Sequence, residues 1–355
     1  MKRKFLPIAL LGTLFLQLLT GCGSGETSSE PASPDAAGGD QVYTFRASHL
    51  ATPDFPYDTT LTMMTDYMNE LAGYEAFEVQ LFGSGALAGS DNENTEMTNN
   101  GIVEFSFAAN DSILYINSDL IKWNIYSMPY TFVTQDALYA FIDGEMGQAL
   151  LDEATEATNC IVYPGICQGF AILGSNRGPV LTPEDIAGQK LRSTPAELVQ
   201  ATVNAWDATP VNVAYSEIYT ALQQGTVDGM LNAQSSWASG GFYEVCDYGT
   251  YVNSYSNIHF PVVNKDFYNS LPEDLQAVWD SGMEYFVEIT REQMADKLAA
   301  SDQEMIDGGF ELTYLNDEQL QAWKDATADV IQSNVDVVGG SEYFQQVTDW
   351  VADHS

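Results

Sequence analysis

Histidines, cysteines, acidic pairs and a few cations are the side chains that could do chemistry in this chain, and their spacing argues against catalysis. Only His49, His259 and His354 occur, too scattered for a recognised metal motif, and no HExxH pair is present. No Gly-x-Ser-x-Gly elbow raises a serine nucleophile, and no phosphate loop closes on Gly-Lys-Ser/Thr. Gly83-Ser84-Gly85 lacks the third glycine of a dinucleotide fingerprint. Acidic pairs abound, but chance supplies them among 50 acidic residues. The expectation is a protein that is not an enzyme and uses neither cofactor nor metal.

The cysteines divide into one with a reading and three without. Cys22 follows Leu19-Thr20-Gly21, which closes an apolar, uncharged run from Phe5 behind the basic start Lys2-Arg3-Lys4. Such a short core with a basic start is an export signal, too short for an ordinary membrane span. Small residues followed at once by cysteine match the bacterial lipoprotein cleavage box. Residues 1–21 are therefore expected to be removed and Cys22 to carry the lipid anchor. Each buried methylene contributes roughly 0.8 kcal/mol, so two or more acyl chains would hold the protein at a membrane. Cys160, Cys167 and Cys246 cannot all pair, and the spacing of the first two fits neither a redox CxxC nor a zinc knuckle. Buried free thiols are the expectation, with a Cys160–Cys167 disulfide the alternative outside the cytoplasm.

Charge narrows the partners. The sequence holds 12 basic and 50 acidic residues, and loss of the signal would leave nine basic residues and a net charge of −41. A surface this acidic repels nucleic acid and anionic lipid, which excludes both as partners. Any anionic ligand must then be held by a locally placed cation, because the overall field opposes it.

The elements that must position such a cation can be traced along the chain. Residues 22–41, rich in Gly, Ser and Pro without a large apolar residue, read as a disordered tether. The body from about Val42 is long enough for two lobes. Val42 to Ala47 alternates as a strand, and a helical stretch through Leu61, Met64, Met68 and Leu71 stops at Gly73. Phe77 to Phe82 and Ile102 to Ala108 read as further strands, with Ser90 and Glu93 forming a capping box between them. Strands alternating with helices predict an α/β sheet. Thr182-Pro183-Glu184-Asp185 starts a helix, Lys190 to Ser193 a strand, Ser216-Glu217 caps a helix ending at Gly225, and Val227 to Met230 is a strand. From Pro272 to Asp307 only Gly282 interrupts a helical pattern. That helix would run roughly 50 Å, longer than one small lobe, and is expected to span two.

Leu181 to Val245 carries "LTPEDIAGQKLRSTPAELV", "PVNVAYSEIYTALQQGTVDGMLNAQSSW" and "GFYEV", flanked by "ASHLATPDFPYD", "MPYTF" and "KDFYNSLPEDLQ". This ordered set resembles the solute-binding proteins of tripartite ATP-independent periplasmic (TRAP) transporters, the dicarboxylate-binding family, over nearly all of the chain beyond the tether. The resemblance implies a two-lobed α/β binding protein with mixed sheets, a cleft between lobes, crossing strands and a long lobe-spanning helix. Lobe I would comprise 42–168 plus about 258–297, and lobe II 169–257 plus about 298–355. It further implies capture of a small organic acid and delivery to a membrane permease.

In that family an arginine on the strand after a Gly-Leu-Lys-type turn grips the ligand carboxylate, which falls here on Arg192. A guanidinium offers a planar fork matching a carboxylate, and cations are scarce in this chain. The asparagine of the family's DGxxN segment falls on Asn232. Trp237 is placed to close over the ligand's apolar body and Tyr215 at the cleft edge, with Glu217 read as a cap. Ser48 and Asn110, at strand ends of the first lobe, complete the expected ligand contacts. Where relatives carry a second arginine in GFRxxxNS, Ala171 stands here, so the pocket should be less cationic than usual, which disfavours a dianionic or sugar-acid ligand. Arg46 and Arg177 are the remaining candidates for a second cation. A ligand-sensing lobe for a receptor kinase is the alternative reading, and a secreted enzyme a more distant one.

Overall fold

A computed structural model describes residues 41–53 and 55–354. The signal segment and Cys22 lie outside the described residues, as does the tether apart from Gln41. Among the described residues no helix is long and apolar enough to cross a membrane.

The first half of the chain builds a parallel α/β unit. β1 (Tyr43–Ser48) leads to α1 (Pro56–Ala72), which starts on Pro56 and ends at Gly73 in the left-handed region, φ 78°. β2 (Phe77–Phe82), α2 (Asp91–Asn99) and β3 (Phe105–Ala108) follow, with β2 and β3 on either side of β1. Ser90 caps α2 by accepting from the Glu93 amide, while Glu93 reaches Gly89 N instead of closing the reciprocal bond. α3 (Ser112–Ile116), α4 (Gln135–Asp143) and α5 (Glu145–Ala157) then cover this half, and β4 (Cys160–Val162) joins its edge.

β5 (Ile166–Ser175) carries the chain into the second half. There β6 (Lys190–Ser193), α6 (Glu197–Ala205), β7 (Thr209–Asn212), α7 (Ile218–Gln223), β8 (Gly229–Ala233) and α8 (Gln234–Ser239) form a second parallel unit. The helix expected at Thr182 is a single 3-10 turn, Pro183–Ile186, with its capping box intact. Glu217 precedes α7 without a side-chain capping bond.

β9 (Tyr248–Asn264) crosses back. Its start pairs with β5 and its end with β3 and β4, so one ten-stranded sheet runs β2-β1-β3-β9-β5-β8-β6-β7, with β4 and a later strand pairing with β9 off that path. Between Cys167 and Ile172 the β5–β9 register shifts twice, around Gly169 at φ 92°. The two lobes are therefore halves of one sheet joined by two long strands.

After α9 (Lys265–Ser270), the unbroken α10 (Glu273–Asp307) ties the lobes on one side. Its first turns bury Leu275, Trp279, Met283 and Phe286 with Phe45 and Phe105 of the first lobe. Its last turns place Met305 beside Trp237 and Phe310 in the second. Gly282 lets α1 approach: a Cβ there would lie 2.4 Å from Met68 Cγ. β10 (Glu311–Tyr314) pairs with β9, and α11 (Asp317–Ser333) packs Trp323 edge-on to Trp206 at 4.8 Å. α12 (Ser341–Asp353) returns to the first lobe, with Trp350 5.6 Å from Phe141 and Val347 in the same cluster. This last helix thus packs with the first lobe, although the sequence expectation placed all of 298–355 in the second.

Cys160, Cys167 and Cys246 are free and buried, and burial pushes each thiol up to about 12.

Candidate functional site

A cavity of about 500 Å³ opens where the strands of both lobes end. Its walls come from the segments just past β1, β3, β6 and β7, the carboxyl ends where open α/β sheets bind ligands.

Arg192 lies on β6 between Val211 of β7 and Met230 of β8. It lines the cavity while only 6% exposed, its Nε donates to Val213 O at 3.2 Å, and its Nη1 has no hydrogen-bond partner. Burial pulls its pKa down, and Tyr255, Tyr215, Asp91 and Asp111 oppose that shift. A buried cation with an unsatisfied donor is costly unless an acceptor arrives. Arg46 and Arg177 do not line this cavity: the first is paired with Glu104 and the second with Asp228. Ala171 is fully buried against Ala233 and contributes nothing to the wall. Among the described residues Arg192 is the only lysine or arginine lining the site.

Asn232 and Tyr215 also line it. The Asn232 side-chain carbonyl accepts from Ala233 N at 2.9 Å, and its amide nitrogen reaches only Met230 Sδ, at 3.7 Å, among the described residues. Burial raises the Tyr215 hydroxyl, which hydrogen bonds to Ser239 and nearby Arg192 partly offset, so it stays a donor.

Three expected contacts turn out differently. Asn110 lines the cavity, but its amide is committed to Tyr126 O, Ser256 O and Ile258 N at 2.7, 3.0 and 2.8 Å, stitching the end of β3 to β9. Ser48 does not line it: its hydroxyl donates to Asn94 Oδ1 at 2.6 Å, pinning α2 to β1. Trp237 is core, not wall. It is fully buried, stacks on Phe310 at 5.1 Å and donates from Nε1 to Ile172 O at 3.1 Å.

The first-lobe wall holds residues that sequence reasoning missed. Asp91, the first residue of α2, and Asp111, just past β3, both face the cavity. Asp91 keeps 22% of its side chain exposed, accepts no side-chain hydrogen bond among the described residues, and is raised to about 7 by burial and Asp111, with Arg192 opposing. His259 on β9 stands beside it, held by Gln168 Nε2 at 2.5 Å and Tyr57 OH at 3.1 Å from Nδ1. An amide donor on Nδ1 assigns the ring proton to Nε2. Burial and His49 push His259 down to about 3, so it is neutral. Phe55, Tyr115 and Tyr255 supply aromatic surface. Among the described residues no group of three His, Cys, Asp or Glu side chains could hold a metal ion.

A buried cationic donor, polar groups from both lobes and a cleft between two sheet halves define a small-solute binding protein. The family model described as bacterial extracellular solute-binding protein, family 7, matches residues 47–336, and the chain belongs to that family. It is 30% identical over 285 residues to the ectoine-binding periplasmic protein TeaA of Halomonas elongata, covering 76% of this chain and 79% of that one. It is 25% identical over 288 residues to the C4-dicarboxylate-binding protein DctB of Bacillus subtilis, covering 80% and 79%. A TRAP periplasmic solute-binding protein from Sulfurospirillum deleyianum, solved with bound succinate, superposes with a TM-score of 0.78 at 26% identity, covering 89% of this chain and all of that one. The protein is accordingly a transport solute-binding protein and not an enzyme.

Proposed function

We propose that this chain captures a small organic acid between its lobes, with Arg192 clamping a carboxylate, and delivers it to the membrane permease of a TRAP transporter. Arg192 carries the reading: it is buried, its Nη1 is unsatisfied, and it lines the cavity between the lobes. A ligand carboxylate would complete its hydrogen bonds bidentately. The Asn232 amide and the Tyr215 hydroxyl stand on the same wall to share that oxygen pair. Relatives named for a dicarboxylate and for ectoine support a small solute, and their difference leaves the choice of solute to this chain's own wall. Closure of the lobes about β5 and β9 would present a new surface to the permease. Acylation of Cys22 would keep the protein at the membrane where the permease resides.

The test is titration calorimetry of the wild-type chain and Arg192→Ala across small carboxylates. A charge-assisted contact contributes roughly 1.5–3 kcal/mol, so the variant should lose about tenfold to more than a hundredfold in affinity. Arg192→Lys should recover little, because an ammonium lacks the fork. Wild-type affinity in Arg192→Ala would remove the clamp. Intact-mass analysis in the native host, finding no acyl mass on Cys22, would remove the anchor.

A further inference from the structure

We infer that the solute carries a positively charged organic centre as well as its carboxylate, and that this centre is received by Asp91 and Asp111 of the first lobe. This inference rests on the Arg192 clamp proposed above and names the class of molecule the clamp would hold.

The charges on the wall are lopsided. One guanidinium, Arg192, faces three carboxyl groups, Asp91, Asp111 and Glu93. Glu93 is engaged with Gly89 N at 2.7 Å, and Asp111 takes a hydrogen bond from Asn92. Among the described residues the Asp91 carboxyl accepts none, and its nearby imidazole is neutral with Nε2 3.7 Å from Oδ2. A dicarboxylate bound to Arg192 would carry its second charge toward these acids with no second cation to meet it, because position 171 is alanine and Arg46 and Arg177 are paired elsewhere. A positive group at that end would instead satisfy Asp91 and share Asp111 with Arg192. The chain's net charge of −38 acts in the same sense, favouring a cationic end over an anionic one.

Two further observations fix the kind of cation. Arg192 lines the cavity while nine-tenths buried, and its Nη1 has no hydrogen-bond partner, so the site is suited to a carboxylate at one end. Phe55, Tyr115 and Tyr255 face the same space, and aromatic faces attract weakly hydrated organic cations such as alkylammonium or amidinium groups. The solute is thus a zwitterion, with its carboxylate on the second lobe and its cation on the first. Both ends are needed to hold the lobes together, because a ligand favours the closed state only through contacts that state adds.

Matched probes decide it. The full chain is titrated calorimetrically at pH 8 with same-length pairs: succinate against γ-aminobutyrate and γ-trimethylammoniobutyrate, glutarate against δ-aminovalerate, and malonate against β-alanine. The expected result is a preference of at least about tenfold for the zwitterion in the best-fitting pair, abolished by Asp91→Asn. Circular dichroism and a melting curve on that variant check its fold, and Asp111→Asn serves as a second variant. Tighter binding of a dicarboxylate, lost in Arg192→Ala, would overturn the zwitterion while leaving the clamp intact. Dicarboxylate binding that appears only with added calcium would also overturn it, assigning the acids to a metal ion. Binding of no member of any pair would overturn the clamp and the zwitterion together.

Discussion

His259 Nε2 stands 3.7 Å from Asp91 Oδ2, yet the two do not form an ion pair. Gln168 donates to the ring's Nδ1, and burial holds the imidazole at about 3. The carboxyl opposite it is raised to about 7. The cleft therefore carries a carboxyl group that ionises reluctantly beside a donor that cannot neutralise it.

That relationship sets a pH dependence. Asp91 has a folded value of about 7, above its ordinary 3.8, so the folded state holds its proton more tightly than the unfolded one. Its burial costs nothing below the ordinary value, and stability is lost as pH rises from there through about 7, above which the loss is complete. His259 acts on the other side. Its folded value lies below the ordinary 6.5, so its contribution is full above that pH and falls away in acid. Comparison with Asp91→Asn isolates the carboxylate, which also faces Asp111 and Arg192. In the absence of solute the variant should be more stable than wild type at pH 8, by on the order of 1–2 kcal/mol because partial exposure screens the charge, and should match wild type near pH 4. A lower melting temperature at pH 8 would mean that Asp91 is stabilised by its surroundings.

The three thiols supply a second prediction. Cys160, Cys167 and Cys246 are buried and their thiols pushed up to about 12, so little thiolate exists at neutral pH. Native protein treated with iodoacetamide should keep all three unmodified, and unfolding without reductant should expose all three to alkylation. Two alkylated thiols missing from the unfolded sample would instead indicate a Cys160–Cys167 disulfide.

Much of the frame was legible because local rules and the fold agree. Gly73 ends α1 as a left-handed cap, and α10 runs from Glu273 to Asp307 as its apolar spacing predicts. The crossing strands were not traced residue by residue. β9 is buried along most of its length, so no alternation marks it, and Pro261 sits inside it opposite Phe107. In the site, Arg192 stood out through its scarcity and its family motif, whereas Asp91 is one acid among 50 and looks like an ordinary first-turn helix residue. Trp237 misled because a tryptophan near a binding motif reads equally well as wall or core. Tertiary packing against Phe310 and Gly174 decided for core.

Trp237 yields a third prediction for the same reason. Trp237→Phe removes the Nε1 bond to Ile172 O and leaves space beside Gly174, where a Cβ would approach Trp237 Cη2 to 2.1 Å. Stability should fall by about 1–3 kcal/mol, while solute affinity changes by less than about twofold. Chemical unfolding and calorimetry on one preparation read both quantities. A large affinity loss at unchanged stability would return Trp237 to the binding wall.

The last prediction concerns the crossing between lobes. β5 and β9 carry the chain through the waist, and their register breaks around Gly169, whose φ of 92° is a region side chains avoid. A Cβ there would lie 2.9 Å from Gln234 Cβ and 3.0 Å from Leu298 Cδ2, which belong to α8 and α10. The waist is thus a point where a strand break, a helix start and the lobe-spanning helix pack together. α10 is continuous through Gly282, whose lack of a side chain serves its contact with Met68, so bending is expected at the strand crossing instead. Solute should reduce the radius of gyration seen by small-angle scattering. Gly169→Ala should destabilise the chain, since it adds both backbone strain and a contact that must shift. It should also weaken binding although it removes no contact to solute, because residue 169 does not line the cavity. An unchanged scattering profile at saturating solute, together with normal affinity in Gly169→Ala, would mean that the cleft fills without closing.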